Sequence, residues 1–285
     1  MKIQRSPQVH ALALQLLSPN NKYLTLDRLR GMLQQEYEPL RVEAVRTLAQ
    51  QSNPKRFELL AATARDVNQS DAVRAEAIVG LAAVAEKQRD VLEEFAGGAN
   101  PVLAREAIRT LRLAGLHPAA PEAKPAPDDI AAWTALLAQP GDAASGRRLF
   151  FSAVGARCAV CHQFDGRGGT IGPDLTNVDN SNSRERIITS ILQPSREIAP
   201  HFQSWLLTTT DGKTLSGLRL AKAGDDGVEP YADAEGREFT LKSEDIESRH
   251  ASPISIMPDG LEATISIDDL RDLVTFLSDE GDASK

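Results

Sequence analysis

Two cysteines and a histidine stand together in the second half of the chain. Cys158 and Cys161 are the chain's two cysteines, and His162 follows them directly. A zinc ribbon would need a second pair of ligands, and a disulfide framework would need more cysteines. A redox dithiol pair would follow a strand, whereas this pair follows a helical pattern. Two thiols at this spacing with an adjacent histidine are typical of c-type haem attachment, so the sequence predicts one covalent haem c with His162 as an iron ligand.

The second axial ligand would decide what such a haem does. A methionine raises the reduction potential and gives an electron carrier, two histidines lower the potential, and an open position gives peroxidase-like or gas-binding chemistry. The candidates in the second half are Met257, His201 and His250. Met257 is favoured because it lies in a Met-Pro-Asp-Gly loop rather than in an apolar stripe. His201 and His250 remain as alternative ligands. A haem enzyme or sensor with an open or bis-histidine site remains as the alternative function.

The elements that would position this site begin after a repeated first half. Four segments align without gaps, and each has an apolar start, Ala four residues on and Leu eight residues on: Val9–Leu17, Leu40–Leu48, Val73–Leu81 and Leu103–Leu111. Their starts are 31, 33 and 30 residues apart. A period of about 30 residues with two helices per unit is typical of an α-solenoid. A plain helical bundle is the alternative, and either would serve for scaffolding or docking.

A stretch rich in proline and alanine, residues 118–127, predicts an extended linker after the repeats. Beyond it, helical patterns surround the cysteine pair. Residues 203–249 change to short strand-like runs separated by turn signals, which predict a β-meander. Ser266 and Asp269 then form a capping-box pattern at the start of a last amphipathic helix.

The second half resembles class I cytochrome c. The resemblance is carried by CxxCH and by four short runs: Gly146–Phe150, Gly172–Leu175, Met257–Pro258 and Phe276–Leu277. It implies that the first and last helices cross at Gly146, Phe150 and Phe276. It also implies that the carbonyl of Pro173 orients His162, that Leu175 contributes to the haem pocket, and that Met257 is the second axial ligand.

A narrower resemblance covers about residues 128–280. The runs Gln193–Ile198, Thr210–Gly212 and Ser255–Pro258 are similar to the Pirellula/Verrucomicrobium-type haem-binding family. That family places a β-meander between CxxCH and the axial methionine, and its members often accompany dehydrogenase domains and HEAT-like repeats. The repeats of the first half resemble HEAT-type repeats. The resemblance implies electron transfer from a sugar or alcohol dehydrogenase to a cytochrome or oxidase.

The sequence therefore predicts a mainly α protein that is an electron carrier rather than an enzyme. We expect a HEAT-like α-solenoid over residues 1–117, the linker over 118–127, and a class I cytochrome c fold over 128–285 with the inserted β-meander.

Charge and composition narrow the classes of partner. Residues 1–118 hold 16 basic and 13 acidic residues, whereas residues 119–285 hold 16 and 27, a balance of −11. Such an acidic half disfavours nucleic-acid binding and is compatible with a basic redox partner. The sequence has no apolar run of the roughly 20 residues that a membrane span needs. It also shows no signal peptide. Haem attachment to two reduced thiols nevertheless requires machinery on the exported side of a membrane, so we expect a periplasmic or otherwise exported protein whose signal is absent from this sequence.

Overall fold

The computed structural model describes residues 6–118, 122–221 and 227–278. The chain forms two compact units. The first comprises Met1–Pro121, Arg148–Arg157 and Asp165–Arg167, and the second comprises Glu122–Arg147, Cys158–Phe164 and Gly168–Lys285. Residues 119–121 of the predicted linker lie outside the described residues. The first unit thus includes two short stretches from the region around the cysteine pair.

Helices make up most of the first unit. They are α1 (Pro7–Leu16), α2 (Leu26–Met32), α3 (Glu38–Gln50), α4 (Arg56–Arg65), α5 (Asp71–Gly80), α6 (Arg89–Ala96) and α7 (Pro101–Leu113), with a 3₁₀ helix at Ala82–Gln88. Side chains of Ser6, Thr25, Ser70 and Asn100 accept hydrogen bonds from the first turns that follow them. Such caps satisfy amide groups that have no partner inside the helix. The start of each of these helices is therefore encoded locally.

The four repeated segments form α1, α3, α5 and α7, which contact one another in that order. The shared alanines Ala44, Ala77 and Ala107 are fully buried between them. An alanine at this position lets two helix backbones approach closely, which explains why the repeat keeps it. A HEAT-type solenoid remains a prediction for this row of helices.

The second unit is built from helices and one larger sheet. Its helices are α8 (Ile130–Leu136), α9 (Ala143–Phe150, whose last residues belong to the first unit), α10 (Arg184–Leu192), α11 (Leu261–Thr264) and α12 (Ile267–Leu277). Ser266 and Asp269 form the reciprocal capping box at the start of α12 that the sequence predicts. Gly141 donates from its amide to Thr275 Oγ1 at 2.7 Å, so the chain entering α9 is held against α12.

The predicted β-meander is correct only in part. A short hairpin of β1 (Gln163–Phe164) and β2 (Arg167–Gly168) precedes a five-stranded sheet of β3 (Ser204–Thr209), β4 (Thr214–Arg219), β5 (Val228–Ala232), β6 (Glu238–Lys242) and β7 (Ile246–Ala251). Strands β3 to β6 follow one another as antiparallel neighbours. The last strand, β7, instead pairs with β3, which gives the order β6-β5-β4-β3-β7. A meander pairs each strand with the next, so the return of β7 to the opposite edge is a correction.

Residues 122–127 of the predicted linker belong to the second unit and are held in it by hydrogen bonds. Lys124 Nζ donates to the carbonyls of Glu262 at 2.8 Å and Ile265 at 2.6 Å. Trp133 Nε1 donates to Ala126 O at 3.1 Å, and Trp133 itself is fully buried. This part of the proline-rich stretch is therefore fixed by tertiary contacts. Within the described ranges, every helix is too short or too polar to cross a bilayer.

Candidate haem-binding site

The cysteine pair lies on one tight turn. Cys158–Val160 is a 3₁₀ helix, and the amide of His162 donates to Cys158 O at 2.9 Å. The amide of Cys161 donates to the same carbonyl at 3.2 Å. Both cysteines are free thiols and half-buried. The turn thus places two thiols and an imidazole within a few residues of backbone.

The imidazole of His162 is held in one orientation. Its Nδ1 lies 2.9 Å from the carbonyl oxygen of Pro173, which can only accept, so Nδ1 carries the proton. Nε2 then keeps its lone pair, as a metal ligand requires. Burial lowers the pKa of His162 and outweighs the opposite effect of the Pro173 carbonyl, so the ring is neutral at pH 7. This is the contact that the resemblance implies for Pro173.

Three glycines let the following loop lie directly against this turn. A Cβ atom at Gly168 would be 2.2 Å from His162 O, and one at Gly169 would be 2.0 Å from Val160 O. A Cβ atom at Gly172 would be 2.8 Å from His162 Cε1. Any side chain at these positions would displace backbone or the imidazole. The loop is therefore a close-fitting cradle that needs glycine.

The surroundings of Cys158 favour the protonated form of its thiol. Burial raises its pKa to about 12, and the neighbouring Cys161 adds to the effect. A thiol with this pKa stays protonated at neutral pH and is a poor nucleophile and metal ligand. Thioether formation with a haem vinyl group removes the titratable thiol altogether. Two thiols and an imidazole at this spacing are the donor set that covalent haem attachment requires.

The five-stranded sheet supplies an apolar wall beside the turn. Ile171, Leu218 and Ala232 form a buried cluster, and Cys161, Phe202, Leu220 and Ile256 pack against it. Gly236, in the turn between β5 and β6, lies so close that a Cβ atom there would be 2.4 Å from Val160 Cγ1. An apolar wall excludes water, which a haem pocket requires for control of the reduction potential.

Comparison with known protein families identifies the region that contains the cysteine pair. Residues 143–279 match the family model for cytochrome c. The chain contains a cytochrome c domain. That family implies a covalently bound haem c and haem-based electron transfer, and the turn at Cys158–His162 has the donor set for it. A search of curated proteins found no match to the chain.

The remaining candidate residues of the cytochrome c domain differ in their exposure to solvent. Leu175 is half-buried, and its amide donates to Gln163 O at 2.9 Å. Met257 is half-buried in the loop before α11, and its amide donates to Ser255 Oγ at 3.1 Å. His201 and His250 are exposed. The ligand role of Met257 remains a prediction, as do the narrower haem-binding family and the HEAT-type repeats.

Sequence reasoning missed the charged residues on either side of the cysteine pair. Arg148 and Arg167 are 5% and 4% exposed, although arginine is rarely buried. Their partners are Glu106, at 2.8 Å from Arg148 Nε, and Glu43, at 2.6 Å from Arg167 Nη2. The available signal was the repeat itself, in which glutamate recurs directly before the shared alanine. A charge repeated on a buried helix face indicates a paired charge.

Proposed function

We propose that this chain is an electron-transfer protein with one haem c, ligated by His162 and Met257. The observation that carries the proposal is the neutral His162 imidazole, fixed by Pro173 beside two thiols in a cytochrome c domain. A bound haem supplies reversible one-electron chemistry at its iron. The chain's own residues orient the imidazole, hold the turn and keep water from the apolar wall.

Two observations and one chemical argument support Met257 as the second ligand. Its neighbour Ile256 packs on the same apolar cluster as Cys161, which brings the loop to the wall of the site. The side chain is half-buried, whereas His201 and His250 are exposed on the surface. A neutral thioether opposite histidine favours ferrous iron and a high potential, which suits a carrier.

The test of this proposal is spectroscopic. Ferric wild-type protein is expected to show the weak near-infrared band of sulfur-to-iron charge transfer and to resist cyanide for minutes. Met257→Ala is expected to lose the band and bind cyanide, while Met32→Ala, in the first unit, is expected to retain wild-type behaviour. Rapid cyanide binding by the wild type, or an unchanged spectrum in Met257→Ala, would refute the assignment and support an open or bis-histidine site.

We further propose a basic redox partner that accepts electrons delivered by a periplasmic dehydrogenase. The support is the −11 charge balance of residues 119–285, which steers a basic protein towards this half of the chain. Electron transfer to such an acceptor is expected to slow steeply as salt rises, because screening shortens the range of the attraction. A rate that is flat between low and moderate ionic strength would contradict a steering role.

Haem attachment also bears on location and on the first unit. Covalent attachment to two reduced thiols takes place on the exported side of a membrane, so we propose a periplasmic or otherwise exported protein. The row of repeated helices supports a HEAT-type solenoid that docks the donor. Cell fractionation with haem staining tests the first proposal, and binding of the donor to variants of the helix row tests the second.

A further inference from the structure

Three repeated helices carry a glutamate at the same position. Glu43, Glu76 and Glu106 each precede the shared alanine of α3, α5 and α7, and they are 3%, 8% and 0% exposed. We call these three residues the glutamate ladder. Because a buried carboxylate is costly unless it is paired, each member should have a cationic partner.

Arginines within the helix row neutralise part of the ladder. Arg46 Nη1 donates to Glu43 Oε1 at 2.6 Å, and Arg46 Nε donates to Glu76 Oε1 at 2.9 Å. Arg109 pairs with Glu106 on the same helix. One bridging arginine thus joins two members of the ladder, and the third has a partner one turn away.

The other partners of the ladder come from far along the chain. Arg148 Nε donates to Glu106 Oε1, and Arg167 Nη2 donates to Glu43 Oε2 at 2.6 Å. Arg167 Nη2 also lies within 3.1 Å of Thr47 Oγ1 and 3.0 Å of the Leu14 carbonyl. Both arginines belong to the same compact unit as their glutamates. That unit therefore owes two of its buried ion pairs to the chain around the cysteine pair.

In sequence, the two arginines lie on either side of Cys158–Phe164, which we call the haem-binding segment. Residues 148–157 end directly before Cys158, and residues 165–167 begin directly after Phe164. The two junctions are also where backbone strain occurs. Arg157 and Asp165 both have φ of +50°, and they are the non-glycine residues with positive φ in the described part of the chain. Strain of this kind persists only where the surrounding structure imposes it.

The residue after Arg167 lies against the backbone of His162. Gly168, with φ of +107°, lies so close to the haem turn that a Cβ atom there would be 2.2 Å from His162 O. A displacement of the Arg167 backbone would move Gly168 against or away from the carbonyl of His162. The anchoring of Arg167 thus bears on the orientation of the predicted iron ligand.

We propose that Arg167 is a positioning residue for the haem site, anchored by Glu43 of the glutamate ladder. Helix α3 then anchors the chain at Arg167, three residues after Phe164, in addition to any role of the repeated helices in docking a partner. The inference rests on the proposed function, since it requires a haem on Cys158 and Cys161. It predicts that changes in α3 alter the properties of the haem.

The test compares Arg167→Met and Glu43→Gln in the full-length protein with haem bound. If charge acted only through its field, loss of an arginine would lower the reduction potential and loss of a glutamate would raise it. If the pair acts by positioning, both variants admit water to the pocket and both lower the potential, since a more polar environment favours ferric haem. We expect a change of about tenfold in the reduction equilibrium constant, or ~59 mV for one electron.

The double variant and a surface pair complete the design. Arg167→Met combined with Glu43→Gln is expected to lower the potential little further than either change alone, because the two residues act as one unit. Arg65→Met removes an exposed pair with Glu94 in the same unit and is expected to leave the potential unchanged. If Arg167→Met or Glu43→Gln fails to fold, Thr47→Val can be used instead. It removes one contact of Arg167 and is also expected to lower the potential.

Two results would overturn the inference. One is opposite shifts in Arg167→Met and Glu43→Gln, which would show that the charges act through their field alone. The other is an unchanged reduction potential and absorption spectrum in every folded variant of Arg167, Glu43 and Thr47, even if its thermal stability has fallen. Wild-type protein without covalent haem would instead refute the proposed function, so the two failures are distinguishable.

Discussion

Gly146→Ala is expected to force apart the two helices that frame the cytochrome c domain. A Cβ atom at Gly146 in α9 would be 2.1 Å from Asp272 O and 2.5 Å from Asp272 C, both backbone atoms of α12. Ordinary contact for such an atom begins at 3.4 Å, so α12 would have to retreat by about 1.3 Å. That retreat would loosen the contact between Phe276 of α12 and Phe164, whose ring centroids are 4.4 Å apart.

The expected loss of stability is large because the added Cβ atom would meet backbone atoms of Asp272. Overpacking a core typically costs about 1–3 kcal/mol, and backbone yields less readily than a side chain, so we expect about 3 kcal/mol. For a unit of this size, that corresponds to a fall of roughly 6–12 °C in the unfolding midpoint. The measurement is thermal unfolding of the haem-bound protein, followed by helical circular dichroism and by haem absorbance.

A matched glycine provides the control. Gly31 in α2 has no atom within 4 Å of an added Cβ, so Gly31→Ala is expected to be neutral or stabilising by up to about 1 kcal/mol. The reasoning is refuted if Gly146→Ala unfolds within 1–2 °C of the wild type, which would mean that α12 slides at little cost.

Three further predictions follow from the site and its surroundings. Gly172→Ala should displace the His162 ring and lower the haem content per purified chain, and a wild-type content and spectrum would contradict this. Burial of Glu229 raises the pKa of its carboxyl group. Hydrogen bonds from Ser243 and Tyr231, together with the charges of two nearby arginines, outweigh this effect and hold the pKa below the usual 4.5. Its contribution to stability is then present above pH 4.5 and lost as pH falls through the folded-state pKa, so the difference between wild type and Glu229→Gln in urea unfolding should shrink with acid. Arg157→Gly should relieve a φ of +50° and stabilise the protein by about 0.5–1 kcal/mol, and a lower unfolding midpoint would argue against strain there.

Local signals predict the helices of this chain well. The capping box of Ser266 and Asp269 fixes the start of α12 because both of its hydrogen bonds lie within four residues. The repeat predicts the helix row because one apolar stripe per helix must be buried against the next. The cysteine spacing predicts the turn because five consecutive residues, 158–162, set its geometry.

Long-range pairing is where sequence reasoning fails. Strand β7 pairs with β3 rather than with its neighbour β6, and no short-range signal distinguishes the two edges of the sheet. Residues 122–127 have the composition of a free linker, yet Lys124 finds two carbonyls about 140 positions away. Arginine is typical of a protein surface, and the burial of Arg148 and Arg167 depends on the glutamates that pair with them. In each case the partner, not the local sequence, decides the outcome.

The contacts that tie the start of the second unit to its end also set the order in which the chain can fold. Lys124 binds carbonyls 138 and 141 residues away, and Gly146 packs against Asp272 near the carboxyl end. None of these contacts can form before residues 262–272 have been synthesised. At about 5–20 residues per second, some 110 residues after Cys161 take roughly 6–20 s to make. Throughout that interval the second unit lacks the carbonyls that Lys124 binds and the backbone against which Gly146 packs, so residues 122–147 take their final places only after the rest of the unit has been made.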